Sequence, residues 1–336
     1  MSLSHEVIDV HSHILLEGVM GFCGAAGPEM GIRDDGVPFF RAGEYVLENV
    51  KFVGSPFSDV ALRLEHMERL GIDRQLVSPN PITYFYRQPE SVAIDFNRRH
   101  NDLIAEITAH NVRLIGAAAL PMQSPEAACR ELVRSVTELG LVASYIGSDV
   151  GGVMLSDPRF EELWSEHERL GVPVIVHPSP RNVDYRDDAL FVPWDLDILY
   201  GFHVDETLAV AHLVLSGVID RHPNLRVHIP HGGGFAPYQI GRLEAGLEKR
   251  PWGRGLLTRP FEEQWRQFSF DTAVHRENSL AFLVSSQGSD RVLHGCNFAG
   301  WDQEERSVEM VNGLSVSDDD RSMILSGNAR ALFKLA

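Results

Sequence analysis

The stretch Val7-Ile8-Asp9-Val10-His11-Ser12-His13 decides the fold. Its β-branched residues predict a strand, and the residues just after a first strand separate two α/β architectures. A doubly wound dinucleotide-binding sheet places a Gly-rich turn there; this chain places two histidines. In an extended strand, residues two apart project to the same side, so His11 and His13 offer two imidazole nitrogens to one cation. Taken alone, the pair is equally an ordinary polar strand end, and the rest of the chain has to decide.

Working outward, short β-branched runs recur with helix-period segments between them, the pattern of βα units. The strand candidates are Val7–Val10, Gln75–Ser78, Arg113–Ala119, Ala143–Ile146, Pro173–His177, Leu225–Pro230, Phe268–Thr272 and Arg291–Gly295. Amphipathic stretches lie between them at Ser58–Leu70, Glu126–Leu139, Asp157–Leu170, Thr207–Ile219, Glu277–Gln287 and Asp318–Phe333. Gly71, Gly140 and Gly171 fall where three of these helices should stop. The pattern predicts a single α/β domain over residues 1–336, a (β/α)8 TIM barrel, with an open doubly wound sheet as the structural alternative. Residues Leu15 to Phe57, rich in Gly, Pro and aromatics with no sustained period, read as a long insertion after strand one that walls or lids the pocket.

Composition excludes several functions. Of 336 residues, 30 are basic and 47 acidic, a net charge of −17 that gives no electrostatic reason to bind nucleic acid or an anionic membrane. Three cysteines, Cys23, Cys129 and Cys296, have no paired spacing, so neither a disulfide framework nor a Cys-rich zinc site is expected. The segment Met1 to His5 is polar, and no apolar run of about eighteen residues, enough to cross a bilayer, is read from the sequence; a cytoplasmic protein is expected. Fifteen histidines against three lysines favour imidazole chemistry over amine chemistry.

Three further strand ends carry chemistry. His177 closes the apolar run Val172-Pro173-Val174-Ile175-Val176 and would be costly to bury unsatisfied, which makes it a candidate third ligand. Strand six ends Val227-His228-Ile229-Pro230-His231 before three glycines; alternation puts His231 with the inward set and His228 toward the helices. Strand eight brings Asn297 to the rim, where its amide oxygen can face a metal but cannot take up a proton. His275, after strand seven, stands on the same rim. His66, His100, His110, His167, His212 and His222 lie in or beside helices and read as satisfied side chains; His203 and His294 stay open.

With these residues in place the sequence resembles the amidohydrolase superfamily, in the branch typified by aminocarboxymuconate semialdehyde decarboxylase. The resemblance is carried by Ile8-Asp9-Val10-His11-Ser12-His13, Val176-His177-Pro178, Pro193-Trp194, His231-Gly232-Gly233-Gly234, Gly241-Arg242, Asp290-Arg291 and Gly327-Asn328-Ala329-Arg330-Ala331-Leu332-Phe333. It implies a distorted barrel holding one divalent metal, zinc with manganese as the other candidate, on His11, His13 and His177. The family's strand-six histidine falls on His231 and its strand-eight aspartate on Asn297, a departure from the pattern. It also implies a carboxylate-binding arginine at Arg41 and a pocket tryptophan at Trp194, which with Phe298 and His275 would shape a slot for a planar acid. Strand four, Ala143 to Val150, has no lysine to bridge two metals, which is consistent with one.

The expected function is a metal-dependent decarboxylase of a planar unsaturated or aromatic carboxylic acid, using a metal-bound water with His231 as the proton carrier. The alternative is a metal-dependent hydrolase or hydratase of a lactone, amide or unsaturated diacid; a metal-free binding barrel is the reading Asn297 suggests. Expected partners are a small carboxylic acid and a second copy in a homodimer, with neither nucleic acid nor membrane.

Overall fold

In the computed structural model, which describes residues 6–180, 190–191 and 193–336, eight parallel strands stand side by side in sequence order. They are Ile8–Ile14, Arg74–Pro79, Leu114–Ala119, Ala143–Ile146, Val174–Val176, Val227–Ile229, Phe268–Asp271 and Val292–Leu293. Each falls on one of the eight runs expected from sequence. The polar segment Met1 to His5 lies outside the described residues. First and eighth strands meet through a bridge from Ser12 to Phe298, Val10 N–H donating to the His294 carbonyl (2.9 Å) and Phe298 N–H donating to the His11 carbonyl (3.0 Å). The sheet thereby closes into a barrel, distorted because backbone pairing along this seam is sparse among the described residues.

Covering both faces of the strands explains their composition. Val174, Ile175 and Val176 in strand five, and Val227 and Ile229 in strand six, are fully buried, as parallel strands flanked by helices must be. Helix ends follow the sequence punctuation. Asp59 accepts from the N–H groups of Ala61 and Leu62 at the start of Val60–Leu70, and Gly71 ends that helix in the left-handed region (φ 69°). Gly171 does the same for Glu161–Leu170 (φ 62°).

Three features differ from the sequence expectation. The Leu15–Phe57 insertion contains an antiparallel sheet of Glu29–Ile32, Pro38–Ala42 and Tyr45–Glu48, because the strand pairs bury Phe40 and Ala42 although the sequence shows no sustained alternation. A helix absent from the amphipathic stretches read in the sequence, although His100 and His110 are placed there in or beside helices, runs Glu90–His110; its buried face mixes Ala93, Phe96 and Ile104 with Asn97, His100 and Asn101, which interrupts the apolar period. The helical run Pro193–Leu215 has an 18-residue window of mean hydropathy 1.3 and is long and apolar enough by composition to cross a membrane, a length the sequence reading did not credit. Here Asp205 and Glu206 within it are buried, and Glu206 bonds the barrel residue His231, so the run packs on the barrel.

Candidate metal centre

Four imidazoles converge at the mouth formed by the strand C-termini. His11 and His13 belong to strand one, His177 follows strand five and His231 follows strand six. Ring centroids of His11 lie 5.3 Å from those of His13 and His177 and 4.8 Å from that of His231. His13 and His177 are 4.9 Å apart. Donor nitrogens of the buried trio His11, His13 and His177 all fall within 4.8 Å of one another.

Hydrogen bonds fix which nitrogen each ring presents. His177 Nδ1 lies 2.6 Å from the Pro178 carbonyl oxygen, which can only accept, so Nδ1 carries the proton. His11 Nδ1 lies 2.7 Å from Asp271 Oδ2, with the same consequence. The Nε2 atoms of both rings are buried without a partner. Two lone pairs left unsatisfied side by side in a core are costly, and a cation between them removes the cost. Burial, and after it the neighbouring imidazoles, push His13 and His177 well below the ordinary histidine range, which keeps them in the neutral form that ligates metal. Trio geometry, the bare Nε2 atoms of His11 and His177 and the lowered pKa values of His13 and His177 together fit a single divalent metal.

Carboxylates that sequence reasoning passed over hold these rings. Asp271, fully buried at the end of strand seven, accepts from the N–H groups of Gly232 (3.0 Å) and Ala273 (3.1 Å) through Oδ1 while Oδ2 takes His11. Burial alone would raise its pKa; His11, by charge and hydrogen bond, drives it below the usual carboxylate range. A carboxylate at a strand C-terminus was the available signal. Glu206, also fully buried, accepts from His231 Nδ1 at 2.7 Å; a lone Glu inside a helix gives no sequence signal. Burial works against a charged His231, but the Glu206 carboxylate outweighs it and raises the pKa to about 9. The His203 ring, left open from sequence, stands 5.7 Å from that of His231.

The backbone of strand one is held by a buried polar chain. Arg63 donates to Gln75 Oε1 at 2.6 Å and to the His13 carbonyl, Gln75 donates to Asp9 Oδ2 at 2.8 Å, and Asp9 Oδ1 accepts from His11 N–H (3.0 Å) and Cys296 N–H (3.1 Å). Asp9 thus ties strand one to the loop after strand eight. Gly234 (φ 61°) is required as glycine, because an added Cβ would stand 2.4 Å from the His203 carbonyl oxygen.

His13, His177 and His231 line a cavity of about 1170 Å³ whose walls are mostly apolar, with Tyr45, Phe52 and Phe57 from the insertion and Phe202 and Phe282 from elsewhere in the chain. No Lys or Arg lines it among the described residues. Asn297 (φ 52°) and His275 (φ 56°) both reach this cavity from left-handed backbone. Asn297 Nδ2 donates to Asp302 Oδ1 at 2.6 Å, and His275 lies between Asp302 (Nε2 to Oδ2, 3.4 Å) and Glu304 (Nδ1 to Oε2, 3.6 Å).

Three sequence-derived candidates are elsewhere. The Arg41 guanidinium is engaged within the insertion by Glu29 and by the carbonyls of Ala25 (2.8 Å) and Gly43 (2.9 Å), and Arg41 does not line the cavity. Trp194 is 82% exposed and also off the cavity wall, since the turn that carries it has left-handed backbone (φ 58°). Phe298 is fully buried, edge-on to His66 and under the Arg63 guanidinium, on the core side of the seam. His228 bonds Ser269 (3.0 Å) and His167 bonds Ser144 (2.7 Å) and the Leu163 carbonyl (2.8 Å), in keeping with the structural readings given to them. His294, left open, bonds Ser307 (3.0 Å).

Comparison with known proteins bears on the same residues. The amidohydrolase family model matches residues 8–335. A 2-amino-3-carboxymuconate-6-semialdehyde decarboxylase of Dictyostelium discoideum is 33% identical over 275 residues, 81% of this chain and 75% of its own. A gamma-resorcylate decarboxylase of Rhodococcus jostii is 32% identical over 290 residues, 82% of this chain and 87% of its own. The crystal structure of a dihydroxybenzoic acid decarboxylase from Polaromonas with bound manganese and 2-nitroresorcinol superposes with a TM-score of 0.78 at 24% identity, covering 98% of this chain and 97% of that one.

Proposed function

This chain belongs to the amidohydrolase family, and from that membership and the geometry of the mouth we propose that it is a metal-dependent decarboxylase of a planar aromatic or unsaturated carboxylic acid. The observation that carries the reading is the pair of buried, partnerless Nε2 atoms on His11 and His177, in reach of His13. Decarboxylases cover four-fifths of the chain at about one-third identity, which favours loss of carbon dioxide over hydrolysis.

His11, His13 and His177 would hold the metal. Three neutral imidazoles suit zinc; the manganese in the Polaromonas structure makes manganese the competing ion. Bound there, a divalent cation supplies Lewis acidity toward the carboxyl and neighbouring oxygens of a substrate. The remaining work belongs to the chain. Apolar walls from the insertion and from Phe202 hold a flat ring and exclude water around it. Asp271 keeps the His11 tautomer and Glu206 orients His231. Replacing a carboxyl by hydrogen requires one proton at the carbon that carried it; the bond's electron pair stays on that carbon as carbon dioxide leaves. His231, protonated against Glu206, is a donor of that proton on the metal side of the cavity.

Elemental analysis of purified protein, paired with carbon dioxide release from 2,6-dihydroxybenzoate and other aromatic acids, tests the reading. We expect one equivalent of zinc or manganese and gas evolution that His177→Ala abolishes along with the metal. Protein that binds no metal after loading, or that adds water to unsaturated acids without gas, refutes it.

A further inference from the structure

The strand-eight position that carries an aspartate in the family pattern is Asn297 here, so the site lacks a carboxylate there. The structure shows a carboxylate close by. Asp302, five residues on in the same loop, lines the cavity together with His13, His177 and His231. Its Oδ1 accepts from Asn297 Nδ2 at 2.6 Å and its Oδ2 lies 3.4 Å from His275 Nε2. The first contact is informative about residue 297. At 2.6 Å an aspartate at 297 would set two carboxylate oxygens against each other unless they shared a proton; an asparagine converts the clash into a hydrogen bond to a charged acceptor. Asn297 is therefore complementary to a carboxylate at 302, and its NH2 group is committed to Asp302.

Resting on the decarboxylase reading above, we propose that Asp302 takes over the part of the missing strand-eight carboxylate, with His275 as the proton carrier paired to it and Asn297 as the donor that orients it. Both Asp302 and His275 line the cavity, and the other charged or titratable groups acting on them are Glu304, 3.6 Å from His275 Nδ1, His231 and His11. The hydrogen bond to Asp302 raises the His275 pKa against the opposing effect of burial, with Glu304 adding to the rise and His231 opposing it. Burial acts to raise the Asp302 pKa, and His275 and His231 hold it below the ordinary carboxylate range. Both shifts favour an imidazolium held by a carboxylate. In the reaction the proton reaches the substrate carbon from His275 in place of His231, which stays charged against Glu206; the C–C electron pair is left on the substrate as carbon dioxide departs, and solvent water returns a proton to His275.

The experiment compares native protein with Asp302→Asn and with the exchanged pair Asn297→Asp/Asp302→Asn. Three readouts are taken: metal content, turnover of 2,6-dihydroxybenzoate with deuterium incorporation from D2O, and the His275 ring titration by NMR in metal-free protein. Asp302→Asn should lower kcat by about 10²-fold or more, with KM changed little, metal content unchanged and the His275 pKa lowered. The exchanged pair should recover at least about tenfold of that loss, since the carboxylate returns from position 297. A kcat within twofold of native, loss of metal in Asp302→Asn, no recovery in a folded exchanged pair, or a His275 titration indifferent to Asp302 overturns the proposal. Native protein that holds metal but releases no carbon dioxide from any aromatic acid defeats the decarboxylase reading instead, and the His275 titration still decides the pairing.

Discussion

Replacing Asp271 by asparagine changes one oxygen to an NH2 group while preserving shape. Oδ1 continues to accept from Gly232 and Ala273 N–H, as it does now at 3.0 and 3.1 Å. The new NH2 then faces His11 Nδ1, 2.7 Å away in the native site. Two donors cannot occupy that contact, so the His11 proton moves to Nε2, the atom now bare and turned toward His13 and His177. For the ring to ligate, it must return to the original tautomer, forfeit its hydrogen bond from the new amide and leave buried donors unsatisfied, about 1–3 kcal/mol, roughly 5- to 150-fold in metal affinity. Loss of an outer carboxylate that orients a histidine ligand typically costs 10- to 100-fold by the same reasoning. Competition titration of metal-free protein against a chromophoric chelator measures the constant directly, with zinc and manganese tested separately. An Asp271→Asn protein that folds normally yet binds metal within twofold of native would show that the His11–Asp271 bond does not set the ligand, and the inference from bare Nε2 atoms would go with it.

Other outcomes rest on the same geometry. Glu206→Gln should lower kcat by about 10²-fold with metal content retained, because the carboxylate that holds His231 protonated is gone; steady-state kinetics with metal analysis checks this. His100 and His167 are fully buried and burial pushes each to about 4, so the unfolded chain binds more protons than the native one between about pH 6.5 and 4. Stability should therefore fall as pH is lowered through that window, by up to about 3 kcal/mol for each ring, and urea unfolding at pH 7 and pH 5 should show the loss shrinking in His167→Gln. Gly234→Ala forces a Cβ against the His203 backbone at a position with φ 61°; a destabilisation of about 1–3 kcal/mol is expected, read from thermal unfolding of the metal-free protein.

Much of this architecture was legible in the chain because it rests on local signals. Strands such as Val174–Val176 and Val227–Ile229 are buried on both sides, so each reads as an uninterrupted β-branched run, and the glycines at 71 and 171 mark helix ends by conformation alone. The histidine trio was legible for a similar reason: two-residue alternation in strand one and strand ends at 177 and 231 all point to one rim. What failed depended on distant parts of the chain. Whether Arg41 reaches the pocket is settled by Glu29 and by two loop carbonyls around it. Whether Phe298 faces the pocket or the core is settled by Arg63 from another helix. Glu206 and Asp302 matter through His231 and His275, 25 and 27 residues away in sequence, one carboxylate on a helix and one in a loop, and neither arrangement has a period to detect. The Glu90–His110 helix escaped notice because asparagines and a histidine occupy its inward face.

The seam between the first and eighth strands has a temporal consequence. His11 and His13 precede their neighbour across the join, Phe298, and the Cys296 N–H that grips Asp9 by almost three hundred residues. A nascent chain displays the first two imidazoles long before anything encloses them, and the coordination pocket is finished only once the eighth strand and the loop after it have been made. Truncation anywhere before the last strand should leave a polypeptide that can touch a cation loosely and never sequester it.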